Sequence, residues 1–282
     1  MDDFLYASAL CYRNCWLRLC LFGLFLFSCL GRFPIVGLGD KLFFGFCVLL
    51  GIGIAVTGIV EPNGVVRKSV HLGWSELPLK TEVENATGVP VIVGNDTNAA
   101  LVAERFFGDC SPNSMLISIG RGVGAALCLN DVIIEGSSFT AGEIAHVVVD
   151  PNGPICECGK QGCLESFVSG DRLQQRISQD PAARTHILTE AGALLGRVMA
   201  IPAGLLDLRD ISVYGAPEIV NTQFIDAMEN EISRTVTTDY QEAPQIHRCR
   251  QGEDLTLRGQ ATIVIRTLVP TIHERGSLIG EA

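Results

Sequence analysis

The segment Gly142–Ser166 reads GEIAHVVVDPNGPICECGKQGCLES and carries the strongest chemical signal in the chain. One imidazole (His146) and three thiols (Cys156, Cys158 and Cys163) lie within 18 residues, and they are the four ligands that a tetrahedral zinc ion takes. Because four protein ligands leave no position for a catalytic water, we expect the zinc to be structural. The alternative interpretation is three free thiols beside an unrelated histidine.

Around this segment, apolar stretches typical of strands alternate with stretches that have the period of helices. In chain order they are 50–56 (strand), 79–87 (helix), 89–93 (strand), 97–107 (helix), 114–119 and 124–129 (strands), 186–206 (helix), 211–214 (strand), and 221–236 and 259–267 (helices). This alternation predicts an α/β fold, in which helices cover a sheet.

The composition limits the class of protein. The chain has 282 residues, of which 48% are apolar and 18% charged, so it can bury a large core and is not of the disordered class. A net charge of −10 repels phosphate backbones, and we expect no nucleic-acid binding by this chain alone. The tight Cys-x-Cys and Cys-x4-Cys spacings fit metal binding in a reducing cytoplasm better than disulfide bonds.

Residues 1–48 differ from the rest, since they hold eight of the thirteen phenylalanines and show no amphipathic period. Three interpretations stay open. The uncharged stretch 42–60 and an apolar leader-like run favour a membrane span or leader. Three glycines within 49–60, followed by Glu-Pro, favour a buried strand that ends in a turn. The third interpretation, which we favour, is a wrong start site or reading frame upstream of about residue 48, and we expect no membrane association.

Several short motifs occur in one order along the chain. They are EIAH at 143–146, CECGKQGCLE at 156–165, GIAVTGIVE at 53–61, LGW at 72–74 and NDTNAA at 95–100. Together they resemble the ROK family of sugar kinases and sugar-responsive repressors. The resemblance covers residues 49 to about 270 and does not cover residues 1–48.

The resemblance implies an α/β, two-lobe, actin/hexokinase-like (ribonuclease H-like) fold with a cleft between the lobes. The small lobe would span 49–115 and be joined by a C-terminal helix at 266–282. The large lobe would span 116–265 and carry the zinc loop. A homodimer or homotetramer is implied as well.

The resemblance also implies which residues bind the sugar. Asn95, Asp96, Glu143, His146 and Glu165 match the family's hexose ligands, and carboxylates and amides suit hydroxyl groups that both donate and accept hydrogen bonds. His146 would bind zinc through one ring nitrogen and the sugar through the other. Asp96 matches the catalytic base of the kinases. An additional or alternative role for Asp96 is to cap the helix that follows it.

The chain departs in three places from the turns in which these kinases hold ATP. No Asp-x-Gly-Gly-Thr turn precedes residue 49. The second turn contains Gly120, Arg121, Gly122 and Gly124, so a guanidinium replaces the usual threonine hydroxyl. In the third turn, Gly215 is followed by Ala-Pro instead of glycine. We therefore expect ATP binding to be lost or much weakened.

Two functions follow from these observations. The first is the effector-binding core of a sugar-responsive transcriptional regulator, whose ligand is a hexose or an N-acetylated amino sugar. The segment 252–261 favours it, although residues 1–48 have no helix-turn-helix pattern, so we expect no DNA-binding module in this chain. The second is an ATP-dependent hexose kinase that uses Mg-ATP, with Asp96 as general base. We favour the first.

Overall fold

A computed structural model describes residues 24–30, 47–249, 252 and 254–269, which fall into two compact units. The first unit holds the described residues up to Asp96 together with 260–269, and the second runs from Thr97 to Gly259. This boundary lies after Asp96, whereas the sequence placed the boundary after residue 115. The division into lobes 49–115 and 116–265 stays a prediction, and most of its C-terminal helix, 270–282, lies outside the described residues.

The first unit contains two small sheets, one complete helix and most of a second helix, Leu255–Leu268, whose first residues belong to the second unit. Its elements are β1 (Leu24–Leu30), β2 (Cys47–Val56), β3 (Ile59–Val60), β4 (Val66–Ser69), β5 (Trp74–Leu77), α1 (Leu79–Thr87) and β6 (Val91–Asn95). The strand β2 is central in one sheet, antiparallel to β1 and parallel to β6, whereas β3, β4 and β5 form an antiparallel sheet. Ile52, Ile54, Val91 and Val93 are at most 8% exposed and form the core of this unit.

The second unit is built around a five-stranded sheet. The remaining elements are α2 (Asp96–Phe107), β7 (Ser114–Ile119), β8 (Val123–Leu129), β9 (Val132–Ile133), α3 (Glu165–Val168), α4 (Gly170–Gln179), α5 (Arg184–Leu205), β10 (Asp210–Gly215), α6 (Thr222–Val236), β11 (Gln245–Arg248) and α7 (Leu255–Leu268). The strand order is β11-β10-β7-β8-β9. The first three strands are parallel, and β8 and β9 are antiparallel to their neighbours.

The helices α5 and α6 pack against each other on one face of this sheet, where their apolar residues share a core with β7 and β10. Two glycines of α5 bring the backbones into contact. A Cβ atom at Gly192 would lie 2.2 Å from the carbonyl oxygen of Phe224, and one at Gly196 would lie 2.6 Å from that of Met228. Any larger residue at either position would therefore push the two helices apart.

One helix in the described part of the chain, Pro181–Leu205, is long and apolar enough to cross a membrane by length and composition. Half of its most apolar window is buried inside the protein, and the core helix of a soluble protein passes the same test.

The stretch 42–60 was the other candidate span. The structure describes it from Cys47 onward, and there it is a strand paired with β6, so the strand interpretation is confirmed and the span interpretation is wrong for this part. The leader and start-site interpretations rest on residues of which the structure describes only Leu24–Leu30 before β2.

Candidate functional site

The loop between β9 and α3 carries the predicted metal ligands, and we call residues 146–163 the cysteine loop. His146 ends a short 3-10 turn, Ile144–His146. The loop then folds back on itself through two antiparallel bridges, Val148 with Cys163 and Ile155 with Gln161. The outer bridge brings the two ends of the loop together, and the inner one forms the tight turn that carries the other two cysteines.

The four predicted ligands meet in space. The ligand atoms of His146, Cys156, Cys158 and Cys163 all lie within 4.8 Å of one another. The Cys158 and Cys163 sulfur atoms are 3.6 Å apart, and the Cys156 sulfur is 3.7 Å from Nδ1 of His146. Bonds of about 2.3 Å to sulfur and 2.0 Å to nitrogen in a tetrahedron place ligand atoms roughly 3.5–3.8 Å apart. The donor set and these distances therefore fit a metal ion.

A glycine allows the loop to close. Gly162 has a φ of +74°, and a Cβ atom there would lie 1.5 Å from the carbonyl oxygen of Asp150. The Gly162 carbonyl accepts a hydrogen bond of 2.8 Å from the backbone N–H of Val149. Only glycine adopts this conformation at this distance without displacing the opposite strand.

The three thiols are not equivalent. Burial raises the pKa of Cys156, and it raises the pKa of Cys163 to about 12. Burial acts in the same direction on Cys158, but the backbone N–H of Lys160 and hydrogen bonds with the other two thiols outweigh it and lower the Cys158 pKa. Without a cation, the buried thiols stay protonated, so a metal would have to displace their protons when it binds.

Two carboxylates border the cysteine loop. Glu165 begins α3, with Oε1 3.8 Å from the Cys156 sulfur and Oε2 3.3 Å from the backbone N–H of Val123, which donates to it. Glu143 precedes the 3-10 turn that contains His146. Burial raises the pKa of Glu143, the charge of His146 lowers it and that of Glu165 raises it. The structure thus brings Glu143, His146 and Glu165 together within the second unit.

The other two predicted sugar ligands lie at a strand–helix junction. Asn95 ends β6, and its Nδ2 donates a hydrogen bond of 2.9 Å to the carbonyl of Gly58. Asp96 is the first residue of α2, where a carboxylate stabilises the helix N-terminus. Both residues are half-buried and belong to the first unit. The assignment of Asn95 and Asp96 as sugar ligands stays a proposal.

The two predicted nucleotide turns lie side by side in the second unit. Gly120, Arg121 and Gly122 form the tight turn between β7 and β8, where the Gly120 N–H donates to the Gly122 carbonyl at 3.0 Å. Gly215 ends β10 directly beside Ile119, and a Cβ atom on it would lie 2.7 Å from the Ile119 carbonyl oxygen. The carboxyl ends of parallel strands are where α/β folds bind ligands. The Arg121 side chain is exposed at this edge.

A second group of metal-ligating side chains was not predicted. The ligand atoms of Cys110, Asp210 and His247 also lie within 4.8 Å of one another. Sequence alone indicates that His247 is an isolated surface or helix-end residue, because no other ligand type stands near it at a recognised spacing. Asp210 and His247 lie on the neighbouring strands β10 and β11, Cys110 lies between α2 and β7, and only the tertiary fold brings the three together.

Comparisons with known proteins agree with this architecture. The model of the ROK family matches residues 45–267. A glucokinase of Halalkalibacterium halodurans is 42% identical over 125 residues, which are 43% of this chain and 38% of that enzyme. The xylose repressor of Bacillus subtilis is 26% identical over 241 residues, 77% of this chain and 61% of the repressor. The chain therefore spans less than two thirds of either relative.

Among solved structures, the ROK family glucokinase of Streptomyces griseus, in complex with glucose and AMPPNP, aligns with a TM-score of 0.67 and 25% identity. The alignment covers 75% of this chain and 80% of the glucokinase chain. The predicted α/β, actin/hexokinase-like fold is confirmed by this likeness. Because the family model covers most of the chain and both a kinase and a repressor are among its relatives, the chain belongs to the ROK family.

Proposed function

We propose that this protein is the sugar-binding, effector-sensing core of a cytoplasmic ROK transcriptional regulator with weakened ATP binding. Its ligand would be a hexose or an N-acetylated amino sugar. The observation that carries the proposal is the cluster of Glu143, His146 and Glu165 on the rim of the cysteine loop. Carboxylates and an imidazole that are held in fixed positions are well suited to hydrogen-bond the hydroxyl groups around a sugar ring.

The cysteine loop supports this role as a structural zinc site. His146, Cys156, Cys158 and Cys163 would hold the ion, which supplies rigidity and no open coordination position. Since Nδ1 of His146 faces the Cys156 sulfur at 3.7 Å, Nε2 is the ring nitrogen left to meet a sugar hydroxyl. Zinc binding and sugar binding would therefore be coupled through one imidazole ring.

Weak nucleotide binding is inferred from the turns at the end of β7 and β10. The exposed Arg121 stands where a hydroxyl would face a phosphate oxygen. Gly215 is followed by Ala216 and Pro217, which add side-chain bulk and remove an N–H where a nucleotide would approach the backbone. A sugar-responsive regulator needs a sugar site but does not need turns that bind phosphate. A chain that keeps the sugar ligands and has altered nucleotide turns therefore fits this function.

An ATP-dependent hexose kinase is the alternative, and the position of Asp96 favours it. A carboxylate at the carboxyl end of β6 and the start of α2 can accept the proton of a sugar hydroxyl. The sugar oxygen then attacks the γ-phosphorus of Mg-ATP, and ADP leaves. A homodimer or homotetramer fits either function.

Calorimetric titration of the full chain with glucose, xylose and N-acetylated amino sugars, with and without Mg-ATP, tests the proposal. Regulator function predicts sugar binding with no ADP formed. Kinase function predicts ADP formation that is lost in Asp96→Asn and kept in Asp171→Asn, a matched change in the first turn of the exposed helix α4. If none of these sugars binds, both functions are contradicted.

A further inference from the structure

We propose that Cys110, Asp210 and His247 form a second metal site, which takes a divalent cation such as Zn²⁺ and is independent of the cysteine loop. Their ligand atoms lie within 4.8 Å of one another. For any three atoms that close, some point lies within about 2.8 Å of all three, and zinc bonds to sulfur, nitrogen and oxygen measure about 2.0–2.3 Å. Shifts of about 0.5–0.8 Å for each ligand atom would therefore complete the coordination.

The fold brings the side chains of Cys110, Asp210 and His247 together on one face of the five-stranded sheet. Asp210 and Ser212 are two residues apart on β10, so they point to the same face of the sheet. His247 of β11 lies beside Ser212 in register. Cys110 lies between α2 and β7 and approaches the same face, with its sulfur 3.0 Å from the Ser212 hydroxyl. The site would thus fix this connecting segment to the edge of the sheet.

Asp210 is buried, and its two carboxylate oxygens have different surroundings. The residue is 5% exposed, and its Oδ2 accepts a hydrogen bond of 2.9 Å from the backbone N–H of Ser111. Its Oδ1 is buried and has no hydrogen-bond partner among the described residues. The same holds for the hydroxyl of Ser114, which lies beside Asp210 in the β7–β10 register. Buried carboxylate oxygens are normally satisfied, and a cation with one bound water would satisfy both of these groups.

The local charge also favours a cation. The carboxylates of Asp210 and Glu104 both place negative charge close to the Cys110 thiol. Glu104 is 1% exposed. A divalent ion would lower the cost of keeping these acidic groups in the interior.

Metal binding requires one balanced proton transfer. The Cys110 thiol loses its proton to the solvent as the thiolate–metal bond forms, and no electron is exchanged. Ser212, which is fully buried, then donates a hydrogen bond to the thiolate and keeps its proton. The ion would replace the 2.9 Å hydrogen bond between the Ser212 hydroxyl and Nε2 of His247.

The test is zinc content of the full chain after equilibration with buffered Zn²⁺, in the unchanged protein and in Asp210→Asn and His247→Gln. Each variant should lose about one zinc per chain, while the exposed control His186→Gln should lose none. Because all proteins compared are the same full chain, metal bound elsewhere cancels in the difference. Zinc content unchanged in both ligand variants would overturn the proposal.

A second measurement needs no variant and decides the question if the substitutions impair folding. Zn²⁺ should slow alkylation of Cys110 in the unchanged protein by about tenfold or more, as followed by peptide mass spectrometry. Cys128 is equally inaccessible, at 0% exposure, and serves as the internal control for general stabilisation. Equal effects of zinc on both cysteines would contradict a site at Cys110. Neither measurement depends on sugar binding, so its outcome is separate from that of the proposed function.

Discussion

The backbone N–H of Val123 donates a hydrogen bond of 3.3 Å to Oε2 of Glu165, and this contact ties the first residue of β8 to the first residue of α3. The other oxygen of Glu165 lies 3.8 Å from the Cys156 sulfur. One carboxylate therefore connects the turn Gly120–Gly124 with the cysteine loop. Removing the charge of Glu165 should therefore affect both this turn and the cysteine loop.

Replacement of Glu165 by glutamine should weaken sugar binding at least about tenfold. The amide keeps an acceptor for the Val123 N–H, but it loses the charge that strengthens hydrogen bonds to sugar hydroxyls. Calorimetric titration of the variant measures the effect. Glu190→Gln, which removes the charge of an exposed carboxylate paired with Arg176, is the matched control and should bind sugar normally. Sugar affinity unchanged in Glu165→Gln would exclude this carboxylate as a ligand.

Two glycines of the cysteine loop should respond differently to alanine. Both have positive φ, +74° at Gly162 and +88° at Gly159, which costs about 1 kcal/mol for alanine. At Gly162 the Cβ atom would also collide with the Asp150 carbonyl, whereas at Gly159 no atom lies within 4 Å. We expect roughly 3 kcal/mol of destabilisation for Gly162→Ala and about 1 kcal/mol for Gly159→Ala. Urea unfolding of both variants measures the difference in the free energy of unfolding. Equal destabilisation by the two substitutions would contradict the close approach of Gly162 to the Asp150 carbonyl.

Removal of a metal ligand from the cysteine loop should destabilise the protein. Cys163→Ser is expected to lose about one zinc per chain and to lower the unfolding temperature by on the order of 10 °C, because the bound ion contributes folding free energy. Cys128→Ser is the matched control, since both residues are 0% exposed and only Cys163 belongs to this group of ligands. Metal analysis measures the zinc content, and calorimetry measures the unfolding temperature. An unchanged zinc content in Cys163→Ser would contradict the zinc site.

Substitution of Arg121 by threonine should restore part of the nucleotide binding. The change returns a hydroxyl to the turn between β7 and β8, so the affinity for Mg-ATP should rise about fivefold or more. Fluorescence titration with a nucleotide analogue measures it, and Arg172→Thr on the exposed face of α4 is the control. A fall in affinity would mean instead that the Arg121 guanidinium already binds phosphate.

Most of the long helices and strands could be predicted from the sequence, because a long periodic pattern of apolar residues is compatible with few other structures. The helix predicted at 79–87 is α1 with the same bounds, and the strand predicted at 114–119 is β7. The strand predicted at 89–93 instead runs from Val91 to Asn95, since Pro90 has no N–H to donate and the sheet pairing continues through Gly94. The short strands β3, β4, β5, β9 and β11 were missed, because two to four residues carry too little periodicity.

The two clusters of possible metal ligands differ in how far they could be predicted. His146 and Cys163 are 17 positions apart, and a Cys-x-Cys pair stands between them, so local spacing alone indicated a cluster. Cys110, Asp210 and His247 are spread over more than a hundred positions. Only the parallel pairing of β10 and β11 brings the last two together, and sequence periodicity does not specify which strands become neighbours.

The strand β10 has a practical consequence for protein engineering. Asp210 and Gly215 are its first and last residues, about 17 Å apart at the usual rise per residue. Since β7 is hydrogen-bonded to the strand along its whole length, β10 behaves as a stiff spacer. A reporter dye attached to an exposed residue near the Asp210 end would leave the predicted nucleotide turn at Gly215 untouched, which makes this strand a suitable frame for a sensor of nucleotide binding with separate readout and recognition ends.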